Sequence, residues 1–438
     1  MAGLLDPPAL TKQQGDARYP SYHDSIFNRL PIVASRPNGF SVNSVNLSDG
    51  TNTSANFRTG HVFTTDCTDL RFVFGNHYNG DTLGPNQITV KLGVEVPFVS
   101  AVGNGGQVGA ILRTYFRGSL SATLDPGGFA ITEPLPVVAK AGQRVYLHTN
   151  VSVATVGQKW PLDLYTLGSN WEGATKGAPA ADLSLTSGIA QTTEPAYSPI
   201  AILGTPIGGN RPIVVALVGD SIGYGSGDSV NSVGFLVRAM NSAGIAYMQT
   251  CKPGEKAFDR NTSGFTYPSP RMSESIACTH AIEEYGRNDW ANARTLAQTQ
   301  ADKLMIAAAY ANRGVKVWAT TQVPGTSSTD SWATTTNQTP TAYESVRLAL
   351  NTWIRAGLPI DPSTKAAVAV GTAGALTAGQ TGHPYVGYFE VADTVETARN
   401  SGLWKVTGSS FGFTIDGTHP SPTGHAAMAA AIDTTKLV

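Results

Sequence analysis

Ile213-Val214-Val215-Ala216-Leu217-Val218-Gly219-Asp220-Ser221-Ile222 decides the fold class of this 438-residue chain. The apolar start shows no polar alternation, as expected of a strand buried on both faces of a parallel sheet. Gly219, Gly223, Gly225 and Gly227 then let the backbone turn sharply as the strand ends. Ser221 therefore stands at the carboxyl end of a strand, where open α/β sheets bind their ligands. An exposed hydroxyl there is a candidate nucleophile. A cap on the following helix is the plainer role for the same residue.

Outward from this strand the pattern alternates. It predicts a helix near 231–243, strands at 245–250 and 276–285, and a helix at 290–313 that Gly314 stops. A strand at 315–320, a helix at 340–356, a strand near Tyr388-Phe389-Glu390-Val391 and a last helix at 423–432 follow. Ala297, Ala301, Leu304, Met305 and Ala308 line one helix face. Such alternation predicts a parallel sheet with helices on both faces. The segments 251–275, 321–339 and 357–387 are long enough to build a substrate site around the strand ends.

Three further stretches carry chemistry. Asp416-Gly417-Thr418-His419 sets a carboxylate three residues before an imidazole, across a glycine turn. The carboxylate can hold one ring nitrogen while the other takes a proton from a hydroxyl. Glu284-Tyr285-Gly286-Arg287-Asn288-Asp289 follows a strand-like run, and Asn288 can aim its side-chain amide at a developing oxyanion. Cys251-Lys252-Pro253-Gly254-Glu255 offers the Gly254 amide to the same oxyanion, with Gly264 as a competitor.

In this order the four blocks resemble the SGNH (GDSL-type) hydrolases over roughly the last 230 residues. The resemblance implies an SGNH-type parallel sheet and a catalytic triad of Ser221, His419 and Asp416. It also implies oxyanion donors from Ser221, Gly254 and Asn288. No His-Glu-x-x-His or paired Cys-x-x-Cys marks a metal site, and no cofactor is expected.

Other polar residues read more plainly. Asp289 is expected to cap the helix after it, and Asp220 to order the turn after the strand. His425 reads as a surface residue on the last helix, and His280 as a packed, hydrogen-bonded histidine. His383 lies in a glycine-rich loop with no role assigned. Gly223-Tyr224-Gly225-Ser226-Gly227 lacks the lysine and spacing of a nucleotide loop.

Residues 31–200 read as an all-β accessory domain, a sandwich or jelly roll that precedes the α/β domain at 205–438. Ile88, Val90, Leu92, Val94 and Val96 alternate with Thr89, Lys91, Gly93 and Glu95. Leu70–Phe74 and Val145–Leu147 are further strands, and Asn104-Gly105-Gly106 and Asp125-Pro126-Gly127-Gly128 are turns. Trp160 and Trp171 are candidates for stacking on sugar, with core packing as the alternative. Thr192–Gly209, with Pro195, Pro199 and Pro206, reads as a linker. Residues 1–30 read as an arm or attachment segment. Ala9–Tyr19 resembles a short segment of phage tail-fibre proteins, which implies a virion or extracellular location and a possible homotrimer.

Composition limits the partners. A formal charge of −1, with 14% charged residues, shows no basic footprint for nucleic acid. No run approaches membrane-spanning length, and the N-terminus shows no signal-peptide pattern. Cys67, Cys251 and Cys278 form no disulfide framework. The expected function is a serine esterase that removes O-acetyl groups from a carbohydrate such as a bacterial surface polysaccharide. The alternatives are an SGNH lipase or thioesterase, and a glycan-binding fibre module without turnover.

Overall fold

The computed structural model describes residues 30–36, 46–78, 80–100, 109–162, 171–192, 194–229, 234–263, 271 and 277–437. The expected N-terminal arm, its tail-fibre-like segment, Gly264 and the turn at Asn104 lie outside them. The chain divides into two compact units. One comprises residues 1–212 and 268–277, and the other residues 213–267 and 278–438.

The first unit is built on one antiparallel sheet of eleven strands. Its longest strands, Ser54–Phe63 and Gln143–Ser152, pair in unbroken register from Ser54↔Ser152 to Val62↔Arg144. The path across the sheet begins at Ala122–Leu124 and ends at Phe129–Ile131. These two strands are consecutive in the chain, joined by a turn in which the Gly128 amide donates to Asp125 O at 2.7 Å. The sheet is therefore curled, with its first and last strands sharing one tight turn. The strand pairing runs through this one curled sheet, where a sandwich or jelly roll was expected.

The linker reading is corrected too. Ala201–Pro206 is a strand paired with Cys67–Gly75 and with Ile32–Ser35. Its residues Ala201 to Gly204 are buried, as a continuous apolar run demands. Pro199 precedes the strand and Pro206 ends it, so neither proline interrupts the pairing. Trp160 is 1% exposed within the apolar core and is unavailable to a sugar, whereas Trp171 is 46% exposed. The segment 268–277 belongs to this unit, which the reading of 205–438 as one uninterrupted domain did not foresee. Its Arg271 is buried and grips Asp81 through Nη2 at 2.7 Å and Nε at 3.1 Å.

The second unit holds a five-stranded, wholly parallel sheet: β1 (Val214–Val218), β2 (Ala246–Gln249), β3 (His280–Glu283), β4 (Lys316–Thr320) and β5 (Tyr385–Phe389). The spatial order is β2-β1-β3-β4-β5. Eight α-helices are described: α1 (Ser221–Tyr224), α2 (Phe235–Ala243), α3 (Ala257–Ser263), α4 (Arg287–Ala291), α5 (Leu296–Ala311), α6 (Glu344–Arg355), α7 (Ala392–Val395) and α8 (Pro422–Ala430). The chain moves one way from β1 to β2 and the other way from β2 to β3. Right-handed crossovers then place α2 on one face and α3, α5 and α6 on the other. The packing agrees: α8 lies on α2, while α5 contacts both α3 and α6.

The single helix expected at 290–313 is two helices, α4 and α5. Thr295 starts α5 with a capping box, accepting from the Gln298 amide while the Gln298 side chain accepts from the Thr295 amide. Asp289 is not the cap of its own helix, where Gly286 stands at φ +152°. Its buried carboxylate accepts instead from Ala257 N at 2.9 Å and Phe258 N at 3.3 Å. It thus caps the start of α3 from across the fold.

Candidate active site

The strand order reverses direction between β1 and β3, and the crevice outside the carboxyl ends of these strands is where such sheets bind ligands. Ser221 follows β1 and Asn288 follows β3, so both stand at this switch point. Ser221 opens the short helix α1, whose start is capped by Asp220 Oδ1 accepting from Ile222 N at 2.9 Å. Asp220 thus orders the turn, as expected. A Cβ on Gly219 would lie 2.6 Å from Glu284 Oε2, which explains the glycine before Asp220.

His419 Nε2 lies 2.8 Å from Ser221 Oγ, and His419 Nδ1 lies 2.7 Å from Asp416 Oδ2. The other oxygen of Asp416 accepts from the backbone amides of Thr418 at 2.8 Å and His419 at 2.7 Å. Burial works against the Asp416 charge, but the His419 ring and these two amides outweigh it and hold the carboxyl at about 2. An ionised carboxylate on Nδ1 fixes the tautomer that leaves Nε2 free to accept the serine proton. The turn is held from behind: Thr326 N donates to Gly417 O at 3.0 Å, and Trp404 Nε1 to the same oxygen at 3.1 Å. Gly417 sits at φ +81°, and a Cβ there would lie 1.9 Å from Thr326 O.

The oxyanion candidates are less tightly joined. Asn288 Nδ2 donates to Asp220 Oδ2 and to Glu255 O, each at 3.1 Å. Both amide hydrogens are thus engaged near Ser221, and contact with an oxyanion there would require one of these bonds to exchange. Gly254 is exposed at φ +77° and makes no hydrogen bond to the triad among the described residues. In its loop, Cys251 N donates to Gln249 Oε1, Lys252 N to Gly219 O and Glu255 N to Lys252 O. Pro253 has no N–H, so Gly254 carries the one uncommitted amide of residues 251–255.

Sequence reasoning missed Glu284. This buried carboxyl accepts from Gly223 N at 3.1 Å and Asp220 N at 3.3 Å and also bonds the Asp220 side chain. Burial, then the charge of Asp220, raises Glu284 well above the ordinary carboxyl range. Burial also raises Asp220, to about 6, against the pull of the Ile222 amide and Glu284. Burial therefore favours the neutral form of both carboxyls, Glu284 above all, directly behind the turn that carries Ser221.

His425 is a correction, since it is fully buried. Its Nδ1 accepts from Phe235 N at 3.2 Å and its Nε2 donates to Ser226 O at 3.1 Å. It ties the loop after Ser221 to α2 and α8, and burial lowers it to about 4, so it is neutral. His280 is packed with Nδ1 2.9 Å from Thr279 Oγ1. His383 bonds the backbone of Leu358 and Tyr385. Neither histidine joins the triad.

No family model and no curated protein matches the chain. Solved structures similar to it include a GDSL-like lipase from Bacteroides thetaiotaomicron, at 15% identity over 53% of this chain and 91% of that one, TM-score 0.33. Another is an acetylxylan esterase from Geobacillus stearothermophilus, at 11% identity over 51% and 94%, TM-score 0.32. A third is a salicylyl-acyltransferase from a tetracycline biosynthetic pathway, at 12% identity over 85% and 80%, TM-score 0.30. Likeness at this level leaves the chemistry to be read from the residues themselves.

Proposed function

We propose that the second unit is a serine ester hydrolase and that its substrate is an O-acetylated carbohydrate. The reading rests on one observation, the continuous chain of hydrogen bonds from Ser221 Oγ through His419 to Asp416. Ser221 Oγ attacks the ester carbonyl while His419 Nε2 takes its proton. The carbonyl oxygen becomes an oxyanion, with the amides of Ser221 and Gly254 and the side chain of Asn288 as its donors. Collapse expels the alcohol, which receives the proton from His419, and leaves an acyl-serine. Water, deprotonated by His419, then attacks the acyl carbon and releases the acid and free Ser221.

The preference for a carbohydrate acetyl ester rests on residue chemistry. The loops after the strands are rich in Gly, Ser, Thr and Tyr, which suit sugar hydroxyls better than a long acyl chain. A virion location would rest on residues 9–19 alone. The test is acetate release from O-acetylated bacterial polysaccharides beside a series of 4-nitrophenyl esters. Ser221→Ala should lower hydrolysis by a factor on the order of 10⁴–10⁶ and leave thermal unfolding near that of the parent. Substantial activity in pure Ser221→Ala would remove the assignment. Preference for octanoyl or longer esters would overturn the carbohydrate reading alone.

A further inference from the structure

Arg287 stands beside Asn288 and reaches into the Asp416–His419 turn, yet no carboxylate among the described residues holds it. Its Nη2 donates to Thr418 Oγ1 at 3.0 Å, and that is its sole side-chain hydrogen bond among the described residues. The residue is only 9% exposed. Its guanidinium lies against Gly325, where a Cβ would come within 2.1 Å of Nη1. The neighbouring carboxylates are committed elsewhere. Asp416 holds His419, Asp220 holds Asn288 and Ile222 N, and Glu344 holds Arg347. A guanidinium presents five donors in a fork that matches a carboxylate, and burying its charge without such a partner is unfavourable. In keeping with this, burial lowers Arg287 from its usual range, and the charges of Asp220 and Asp416 do not restore it. Unpaired charge of this kind marks a place where a ligand supplies the missing group.

We infer that Arg287 reads an anionic group on the substrate, a carboxylate carried by the sugar next to the scissile acetyl ester. The inference rests on the esterase reading and narrows it to acidic glycans such as those containing uronic acids. Thr418 orients one side of the fork, and Gly325 leaves room for it to lie flat.

The test compares two small esters with the full chain: a methyl glucuronoside and a methyl glucoside, each acetylated at the same hydroxyl. Acetate release gives kcat/KM for each, for the parent, Arg287→Gln and Arg287→Lys. The parent should prefer the uronate by roughly 10–100-fold, as expected of a charge-assisted bond. The preference should collapse toward unity in Arg287→Gln and survive in part in Arg287→Lys. Equal kcat/KM for the two esters in the parent overturns the inference and leaves the esterase reading standing. So does a loss in Arg287→Gln that falls equally on both esters, or turnover of 4-nitrophenyl acetate with neither sugar ester cleaved. Failure to hydrolyse any of the three esters sinks the esterase reading itself. Should Arg287→Gln fail to fold, the parent ratio and Arg287→Lys decide the matter.

Discussion

Asn288 is a donor held ready by two acceptors, Asp220 Oδ2 and Glu255 O. If one of these bonds passes to the oxyanion, the gain is realised in the transition state alone. Asn288→Ala should then lower kcat by about 10²–10³ with little change in KM. A rise in KM at constant kcat would instead place Asn288 in ground-state binding. The place of Asn288 after a strand was readable from sequence because it sits in a glycine-bounded block, and the contact of Asp416 with His419 because a spacing of three across a glycine permits it. Glu284, Arg287 and His425 were not readable in this way. Their meaning lies in what surrounds them in space: Asp220 for the first, the lack of a carboxylate partner among the described residues for the second, Phe235 and Ser226 for the third. A histidine in a helix looks the same from sequence whether it faces water or the loop behind a nucleophile.

At the scale of elements, the ends of β1 and β3 enclose the Asp220–Glu284 pair, and this gives stability a sign with pH. Unfolded, Glu284 releases its proton near 4.5, whereas the folded chain keeps it to higher pH. Asp220 shifts in the same direction, from 3.8 to about 6. The folded state then binds more protons than the unfolded one, so this contribution is full below the unfolded values and is lost as pH rises through the folded ones. Glu284→Gln keeps a neutral hydrogen-bonding side chain and removes its share of the effect. Its unfolding temperature should gain on the parent's as pH rises above the unfolded carboxyl range of about 4.5. A gap independent of pH would show that Glu284 holds no extra proton.

The Asp416–His419 turn permits a second test at this scale. Left-handed backbone costs a non-glycine residue about 1–2 kcal/mol. Gly408→Ala, at φ +80° with open space around it, should show that strain alone. Gly417→Ala adds the collision with Thr326 O. It should lower the unfolding temperature by at least about 4 °C more than Gly408→Ala and reduce kcat by displacing His419. Equal losses would mean that the turn relaxes freely. The strands of the parallel sheet were foreseen within a few residues because buried apolar runs identify themselves. The break between α4 and α5 was missed because Asn292–Thr295 is short and polar residues also occur in helices. The strand Ala201–Pro206 was hidden by the prolines around it.

For the whole molecule, the segment 268–277 matters most. It returns to the first unit after β1 and β2 of the second unit have already passed. Arg271 in this segment is buried against Asp81, and removal of one partner of a buried ion pair costs about 3–5 kcal/mol. Arg271→Ala should therefore destabilise the first unit by about that amount, seen as an earlier unfolding transition. Asp81→Asn should shift it in the same direction. An unchanged melt for both variants would mean that the pair contributes no net stability. Neither the curl of the first sheet nor this return was readable from local pattern, because each is a relation between residues far apart in the chain.

The return also sets an order of events during synthesis. A ribosome delivers residues 1–212 first, but Arg271 emerges only after Ser221 and the strand that carries it. The unit that starts first is thus completed late, and Asp81 waits for its partner while the next unit is already being made. A nascent chain halted before residue 271 would carry a first unit lacking its last segment.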